Sequence, residues 1–454
     1  MSDGRTRYGS IFSGTVLILV GAVLLVHAYH PDFEFWRPYA QWWPLLLIFW
    51  GLVKLWERMS ARRGGDPGPA GRVTGGEIAL VVGVLLLLGI IGGADWFRTH
   101  RGNVDLNDIG FFRGTPYTFT EVVPAKTVPA KSSVSVTWGR GDINILADDT
   151  AELRVTEKKT AYASGQAEAE SAAGQVHAVV VDKGNGNYEV RPNNESVRNR
   201  VETSLELHVP KLAGISTTTD SGDVRITGAN GNISVVTRNG DIAVRDAGGN
   251  VLVTSSHGDV QVAGVAGDVK IAGRGGEVEV GDIQGQVAVE GEFFGPIRMN
   301  HVTKGVRFVS SKTDLTITQL SGQLKGGSGN WEISNSNGDL TLSTRKSDVS
   351  IQDAGGRLQI SDDGGDVELH FSQPPRADIS VESRSGDLSL SMPPQSSFQL
   401  DAQTQNGDLD CAFPGLISVG KPDGDNQGLQ GQVGNRGPAI HLRTQHGDIR
   451  ISKK

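Results

Sequence analysis

From Ser221 onward, aliphatic residues alternate with variable ones for about four positions, and a glycine with a polar neighbour then breaks the alternation. Gly222-Asp223-Val224-Arg225-Ile226 is followed by Gly240-Asp241-Ile242-Ala243-Val244 and by Gly258-Asp259-Val260-Gln261-Val262. A period of two over so few residues predicts a short strand, and the glycine–polar pair predicts a tight corner. Gly222, Gly231, Gly240, Gly249, Gly258, Gly267, Gly276 and Gly285 mark these corners nine residues apart. Glycine supplies the positive φ that a tight corner needs, and the Asp or Asn after it can hydrogen-bond nearby backbone. Alternate units are more alike than neighbours, so one coil is predicted to hold two strands and two corners in about 18 residues.

Stacking such coils predicts four inward ladders. They are Val224/Ile242/Val260/Val278, Ile226/Val244/Val262/Val280, Ile233/Val251/Val269/Val287 and Val235/Val253/Ile271/Val289. Every position is Val or Ile, which suits a pleated and packed surface. The same aliphatic pairs continue less regularly as far as Val367/Leu369. Spacing drifts near Gly295 and Gly305, which predicts bulged or longer corners there. Later units are Ile379/Val381, Leu388/Leu390, Leu409/Cys411 and Ile449/Ile451. At a strand spacing of about 4.8 Å, roughly nine coils between Ser216 and Phe371 would make a rod of about 40 Å.

The stretch 104–213 is less regular and is expected to form the N-terminal part, or cap, of a solenoid spanning 214–454. Val134-Ser135-Val136 and Asp142-Ile143-Asn144-Ile145 read as early strands, and Leu205-Glu206-Leu207-His208-Val209 as a strand that stops at Pro210. Ala161 to Gln175, rich in Ala, Glu and Gln, is expected to be a helix. Residues 414–438 are rich in Gly, Asp and Gln without periodicity and are expected to be a loop of low order.

Residues 1–103 follow a different pattern. Three apolar stretches, at about 11–27, 39–56 and 78–95, approach the length that crosses a bilayer. Trp36, Trp42, Trp43, Trp56 and Trp96 lie near their ends, as interfacial aromatic residues do. Arg5 and Arg7 precede the first stretch, and Arg58, Arg62, Arg63 and Arg72 lie between the second and third. The positive-inside rule then places the N-terminus and the 57–76 loop in the cytoplasm, and three crossings leave the solenoid outside. Arg98 and Arg101 count against this orientation. A shallow hairpin of the first two stretches would still leave the solenoid outside. Arg5 and Arg7 before an apolar run also suit a cleavable signal, but no small-x-small site follows Val26 and two further spans do.

Composition adds limits. The 454 residues carry a net charge of -8, which is no footprint for nucleic acid. The one cysteine, Cys411, excludes an intramolecular disulfide framework and sits at an inward position, where it reads as a small hydrophobe.

Candidate chemistry is sparse. Gly-Asp at nine-residue spacing is similar to calcium-binding β-roll repeats, but here Asp follows its glycine directly and the second glycine is missing. Asp223, Asp241, Asp259 and Glu277 are expected to stack as a row of corner residues rather than to converge on a cation. His257 and His446 each precede Gly-Asp and read as polar corner positions. No nucleophile elbow or metal-ligand spacing is present. Polysaccharide lyases also use β-helices, and Arg225, Lys270, Arg298 and Arg307 are candidate outward cations for such a groove. No catalytic residue, cofactor site or metal site is assigned.

Residues 104–454 resemble the bacterial adhesin-like β-solenoid family, a domain of unknown function. The resemblance lies in the Ser-Gly-Asp-Val strands, the Leu205 to Pro210 lead-in and the ending Thr444-Gln445-His446-Gly447-Asp448-Ile449-Arg450-Ile451. Residues 9–56 resemble the small transmembrane domain of LiaF-like envelope-stress proteins, through Gly14 to Leu25 and Trp43-Pro44-Leu45-Leu46-Leu47-Ile48-Phe49-Trp50-Gly51. The third stretch is not part of that pattern. Together they imply an all-β, right-handed parallel β-helix on a three-span α-helical membrane anchor, with no catalytic residues carried over. The expected role is a non-enzymatic binding or scaffold module of the bacterial envelope, with the lipid bilayer as one partner. Cell-wall glycan, envelope proteins and self-association through solenoid ends are the other partners considered. The alternatives are an envelope-stress sensor acting on a signalling kinase, and a carbohydrate-active enzyme on a β-helix.

Overall fold

A computed structural model describes residues 115–193, 201–327, 329–420 and 426–454. The three expected membrane stretches lie outside the described residues. Among the described residues no helix is long and apolar enough to cross a membrane.

The repeat folds into two facing sheets. Val224–Thr227, Ile242–Ala247, Val260–Val265, Val278–Ile283 and Ile297–Val302 lie parallel in the first. Ile233–Asn239, Val251–Ser255, Val269–Gly275, Gln286–Phe293 and Gly305–Val309 lie parallel in the second. Cross-strand register pairs Val224 with Ile242, Ile242 with Val260 and Val260 with Val278, as the first ladder requires. All sixteen ladder residues are 2% exposed or less. A one-residue slip would turn every one of them outward, so burial holds the register.

Corners use glycine for two reasons. Gly240 has φ +134°, which a side chain resists. Gly249 at the opposite corner has no such φ, but a Cβ there would lie 2.4 Å from the Gly231 carbonyl oxygen of the coil below. Positive φ therefore explains only part of the glycine series. Close approach of stacked backbones explains the rest.

A third inward column in the second sheet is polar. Thr219, Thr237 and Ser255 follow one another in register, as do Thr313, Thr344, Asp362, Ser383, Thr444 and Thr404. All are buried. Thr404 Oγ1 donates to the Gly447 carbonyl at 2.8 Å and Thr444 Oγ1 to the Gly386 carbonyl at 3.2 Å. These two hydroxyls thus bind corner carbonyls of adjacent coils, whereas those of Thr237, Ser255, Thr344 and Ser383 have no partner among the described residues.

The winding departs from a plain parallel helix at three places. Past Gly305 the chain turns back. Ser310 Oγ accepts the backbone N–H groups of Lys312 and Thr313, closing a tight turn. Thr313–Ile317 and Leu320–Gly326 then run antiparallel to both neighbouring layers. The drift in spacing near Gly295 and Gly305 is the expected longer corner, since Val278 pairs with Ile297 and Val287 with Val306 still in parallel, and the reversal follows only after Val309. Among the described residues the stretch from Ser216 to Phe371 still holds nine layers, one of them wound backwards. Trp331 and Phe308 pack at 5.1 Å in the core beside this reversal, and the Trp331 indole N–H has no partner. Trp331→Phe removes that buried donor at the cost of a small void, so stability is expected to change by less than about 1 kcal/mol, whereas Trp331→Ala costs about 3–5 kcal/mol. Thermal unfolding of the full chain in detergent reads both.

At the two ends, strands interleave out of chain order. Ile143–Asp148 sits between Val201–Pro210 and Val224–Thr227. Ala439–His446 and Ile449–Lys453 slot between Ile379–Ser385/Leu388–Met392 and Phe398–Asn406/Leu409–Cys411. The pairings make two open sheets. The second runs from Ala178–Gly184 at one edge to Ile417–Gly420 at the other.

Two local expectations are corrected. The helix is Gln166–Ala173, and Glu152–Ala163 is a strand. Ala161 and Ala163 pair with Val201 and Thr115 instead of continuing the helix, because sheet partners on both sides override a modest helical propensity. Ala169 and Ala173 of the helix pack on Ala161, Ala163 and Val201. The expected loop 414–438 contains the antiparallel strands Ile417–Gly420 and Gln427–Val433. Gln427–Val433 pairs with Phe398–Asn406 on one side and with the edge strand Ile417–Gly420 on the other, which supplies their hydrogen bonds. Only one face meets the core, through Leu416, Leu429 and Val433, so little periodicity is needed.

Candidate functional site

Corner carboxylates build ladders of their own. The Asp223 Oδ1 accepts the backbone N–H of Asp241 at 3.0 Å, Asp241 that of Asp259 at 2.8 Å, and Asp259 that of Glu277 at 2.7 Å. At the opposite corner Asn232, Asn250 and Asp268 serve the N–H groups of Asn250, Asp268 and Gln286 in the same way. The expected row therefore exists, and one oxygen of each Asp serves the coil above it rather than only facing water. Asn in the opposite row shows that the role needs a carbonyl-type oxygen, not a charge. Asp259→Asn is expected to keep the bond and relieve repulsion, raising the melting temperature by about 1 °C at low salt and not at high salt. Asp259→Ala loses the acceptor and costs about 1 kcal/mol.

The four candidate cations are outward but do not gather. Arg225 and Arg298 lie on the first sheet, Lys270 and Arg307 on the second. Arg225 pairs with Asp223 at 3.2 Å, Lys270 with Glu290 at 2.9 Å, and Arg298 with Glu277. His257 is an exposed corner residue, and His446 is exposed with Nδ1 at 3.3 Å from the Arg384 carbonyl. Cys411 faces the core but is only half-buried, because its strand is the last of the first sheet and no further layer covers it. Burial pushes its thiol pKa up, away from reactivity.

One Ser–His pair has nucleophile-like spacing. Ser391 Oγ is 2.7 Å from His370 Nδ1, and Lys454 Nζ is 2.5 Å from His370 Nε2. An ammonium can only donate, so Nε2 accepts and Nδ1 carries the proton toward Ser391. In that tautomer His370 cannot take the serine proton.

A buried ionic cluster lies in the N-terminal cap. Lys159 and Glu157 are 1% and 0% exposed. The Lys159 Nζ lies 2.6 Å from Glu121 Oε2, 3.1 Å from Glu157 Oε2 and 3.1 Å from His177 Nδ1. Glu157 also accepts the Ala178 backbone N–H, and His177 Nε2 meets the Gly174 carbonyl at 2.6 Å. The hydrogen bond from Lys159 holds the Glu121 carboxyl below the usual carboxylate range against the opposing pull of desolvation. Ligand atoms of Glu121, Glu157 and His177 fall within 4.8 Å of one another, a spacing that suits a metal ion. The Lys159 ammonium occupies that centre, so the donor set already has its cation.

A second network sits on the outer face of the second sheet near its C-terminal end. Gln403 and Gln430 donate to Asp401 Oδ1 at 3.0 and 2.9 Å. Arg443 and His441 approach Oδ2 at 3.5 and 3.6 Å. Partial burial pushes the Asp401 pKa up, but the two amide hydrogen bonds and the Arg443 charge outweigh it and hold it low. Neither network was anticipated from sequence. The parity of the strand Leu153, Val155, Glu157, Lys159 signals the first, since charged residues continue an inward series. Nothing local signals the second, because its members come from strands far apart in the chain.

Residues 267–452 match the family described as Toastrack DUF4097, and residues 11–55 match the LiaI-LiaF-like transmembrane region. The Toastrack match begins within the ladder series, and the regular coils before Gly267 precede it. The transmembrane match covers the first stretch and most of the second, and not the third. No curated protein matches this sequence. Among solved structures, the chain is similar to a candidate cell adhesion protein from Clostridium sporogenes, at 11% identity and TM-score 0.21, over 75% of this chain and 100% of that one. It is also similar to a candidate lipid binding protein from Parabacteroides distasonis, at 10% identity and TM-score 0.24, over 75% and 97%. A candidate adhesin from Bacteroides fragilis matches at 12% identity and TM-score 0.19, over 74% and 97%. At these identities and scores the likeness carries no argument about what this chain binds.

Proposed function

We propose that the protein displays its solenoid on the outer side of the cytoplasmic membrane as a non-enzymatic binding module of the cell envelope. The observation that carries this reading is the outward face of the second sheet. Ser135, Ser216 and Ser234 stand in one cross-strand column, which passes through Leu252, Lys270, Ala288 and Arg307 before Thr316, Thr341, Gln359 and Ser380 resume it, so short polar groups line this face in two runs of layers. A surface that repeats at the strand spacing suits a partner that also repeats, and glycan strands of the wall are such a partner. Arg225, Lys270 and Arg298 are each paired with a neighbouring carboxylate, which supports a binding role over an enzymatic one. The membrane anchor follows from the LiaI-LiaF-like match, and its orientation from the arginines around the second and third stretches. We take the winding of the parallel coils as right-handed, the sense that parallel crossovers adopt.

Co-sedimentation tests the reading. The full chain in nanodiscs is expected to pellet with purified cell-wall sacculi, and recovery of all the protein in the supernatant would remove the hypothesis. A second reading, a sensor that reports envelope stress to a kinase, is favoured by the LiaI-LiaF-like region alone. Deleting the gene would then change the transcription of an envelope-stress reporter, and an unchanged reporter would count against it.

A further inference from the structure

The outer face of the second sheet ends near its C-terminal edge in a cleft of about 470 Å³. Its walls follow one cross-strand row. Glu382 pairs with Arg443, Arg443 with Gln403, Gln403 with Gly428, and Gly428 with Val419. Gly428 has no side chain, so the row dips between Gln403 and a half-exposed Val419. A Cβ on Gly428 would lie 2.9 Å from the Val419 carbonyl oxygen and crowd the floor.

One wall is held from behind. The Gln403 and Gln430 amide nitrogens are both committed to Asp401, so their carboxamide oxygens turn away from it. Arg443 is drawn toward the same carboxylate. A single half-buried carboxylate thereby fixes one acceptor of the wall, Gln403, and one donor, Arg443, before any ligand arrives, which reduces the side-chain entropy lost on binding.

We propose that this cleft is a subsite for a neutral, polyhydroxylated glycan chain, an inference that rests on the envelope-binding reading above. Sugar hydroxyls both donate and accept, which matches the oriented Gln403 amide oxygen beside the Arg443 guanidinium. The Val419 methyl groups offer an apolar contact for a pyranose C–H face. Asp401 and Glu382 outnumber Arg443 in charge, so a phosphate-rich polymer is disfavoured at the same place.

The test is calorimetric titration of the full chain in nanodiscs with a β-1,4-linked N-acetylglucosamine hexamer and, separately, with poly(glycerol phosphate). Binding of the hexamer is expected to weaken at least tenfold in Gln403→Ala and in Arg443→Ala, with melting temperatures unchanged, while Arg298→Ala on the other sheet binds as before. Both altered cleft residues lie at the surface, so folding is expected to survive. If the wild type binds the hexamer and the cleft variants bind it equally well, the cleft assignment falls and the envelope-binding reading stands. If poly(glycerol phosphate) binds and the hexamer does not, the neutral-glycan assignment falls. If neither polymer nor sacculi are bound, both readings fall together.

Discussion

Replacing Lys159 by methionine is expected to destabilise the solenoid by about 3–5 kcal/mol, the usual cost of leaving a buried charge without its partner. Glu157 is fully buried and would keep only its hydrogen bond from the Ala178 N–H. The double variant Lys159→Met/Glu157→Leu removes both charges and keeps the volume, and is expected to recover most of the loss. The contrast follows from desolvation. Each ion pays to leave water, and the mutual attraction offsets that only while both are present. Unfolding of the full chain in detergent, followed by circular dichroism, decides it. A single variant within 1 kcal/mol of wild type would show that water reaches the pair. Since the cluster ties the first cap strand, through Glu121, to the segment after the helix, through His177, loss is expected first in the cap.

The second large effect is at Asp362. It occupies a column otherwise filled by Ser and Thr and is 3% exposed, and burial outweighs the pull of the Gly364 and Asp363 backbone N–H groups near its carboxylate. Burial, with Asp363 and Asp348 nearby, raises its pKa from 3.8 to about 6. The folded state therefore holds a proton that the unfolded chain releases between those values. Stability from this group is fully present below pH 3.8 and declines as pH rises through about 6. Asp362→Thr restores the residue type of the column and abolishes that decline. At pH 8 it is expected to stabilise the protein by roughly 2 kcal/mol, and at pH 4 to change little. Parallel melting curves of the two proteins from pH 4 to 8 would contradict the assignment.

How far the sequence could be read varied with the kind of residue. The Val and Ile ladders were legible because they recur at a fixed period, and a period of two with a corner every ninth residue allows few other folds. The hydroxyl column was equally present, since Thr219, Thr237, Ser255, Ser383, Thr404 and Thr444 each stand three residues before a corner glycine. It went unnoticed because serine and threonine near a turn ordinarily signal solvent. Asp362 precedes Gly365 by the same three residues, so its burial was implied once the column was known. The Asp401 network was out of reach, since Gln430 and Arg443 reach Asp401 only because later strands return beside it.

The sequence by itself determined the repeat, the inward residues, the corner hydrogen-bonding positions and the contrast between an apolar N-terminal hundred residues and a β-rich remainder. These depend on local alternation and on spacing, which the chain carries without reference to its neighbours. Only the tertiary structure decided the direction of the layer at Thr313–Gly326, the interleaving of the two ends and the partners of Lys159 and Asp401. The physical reason is that a strand shows one edge to each of two neighbours, and its sequence states which face is apolar but not which strand lies at either edge, nor in which direction it runs.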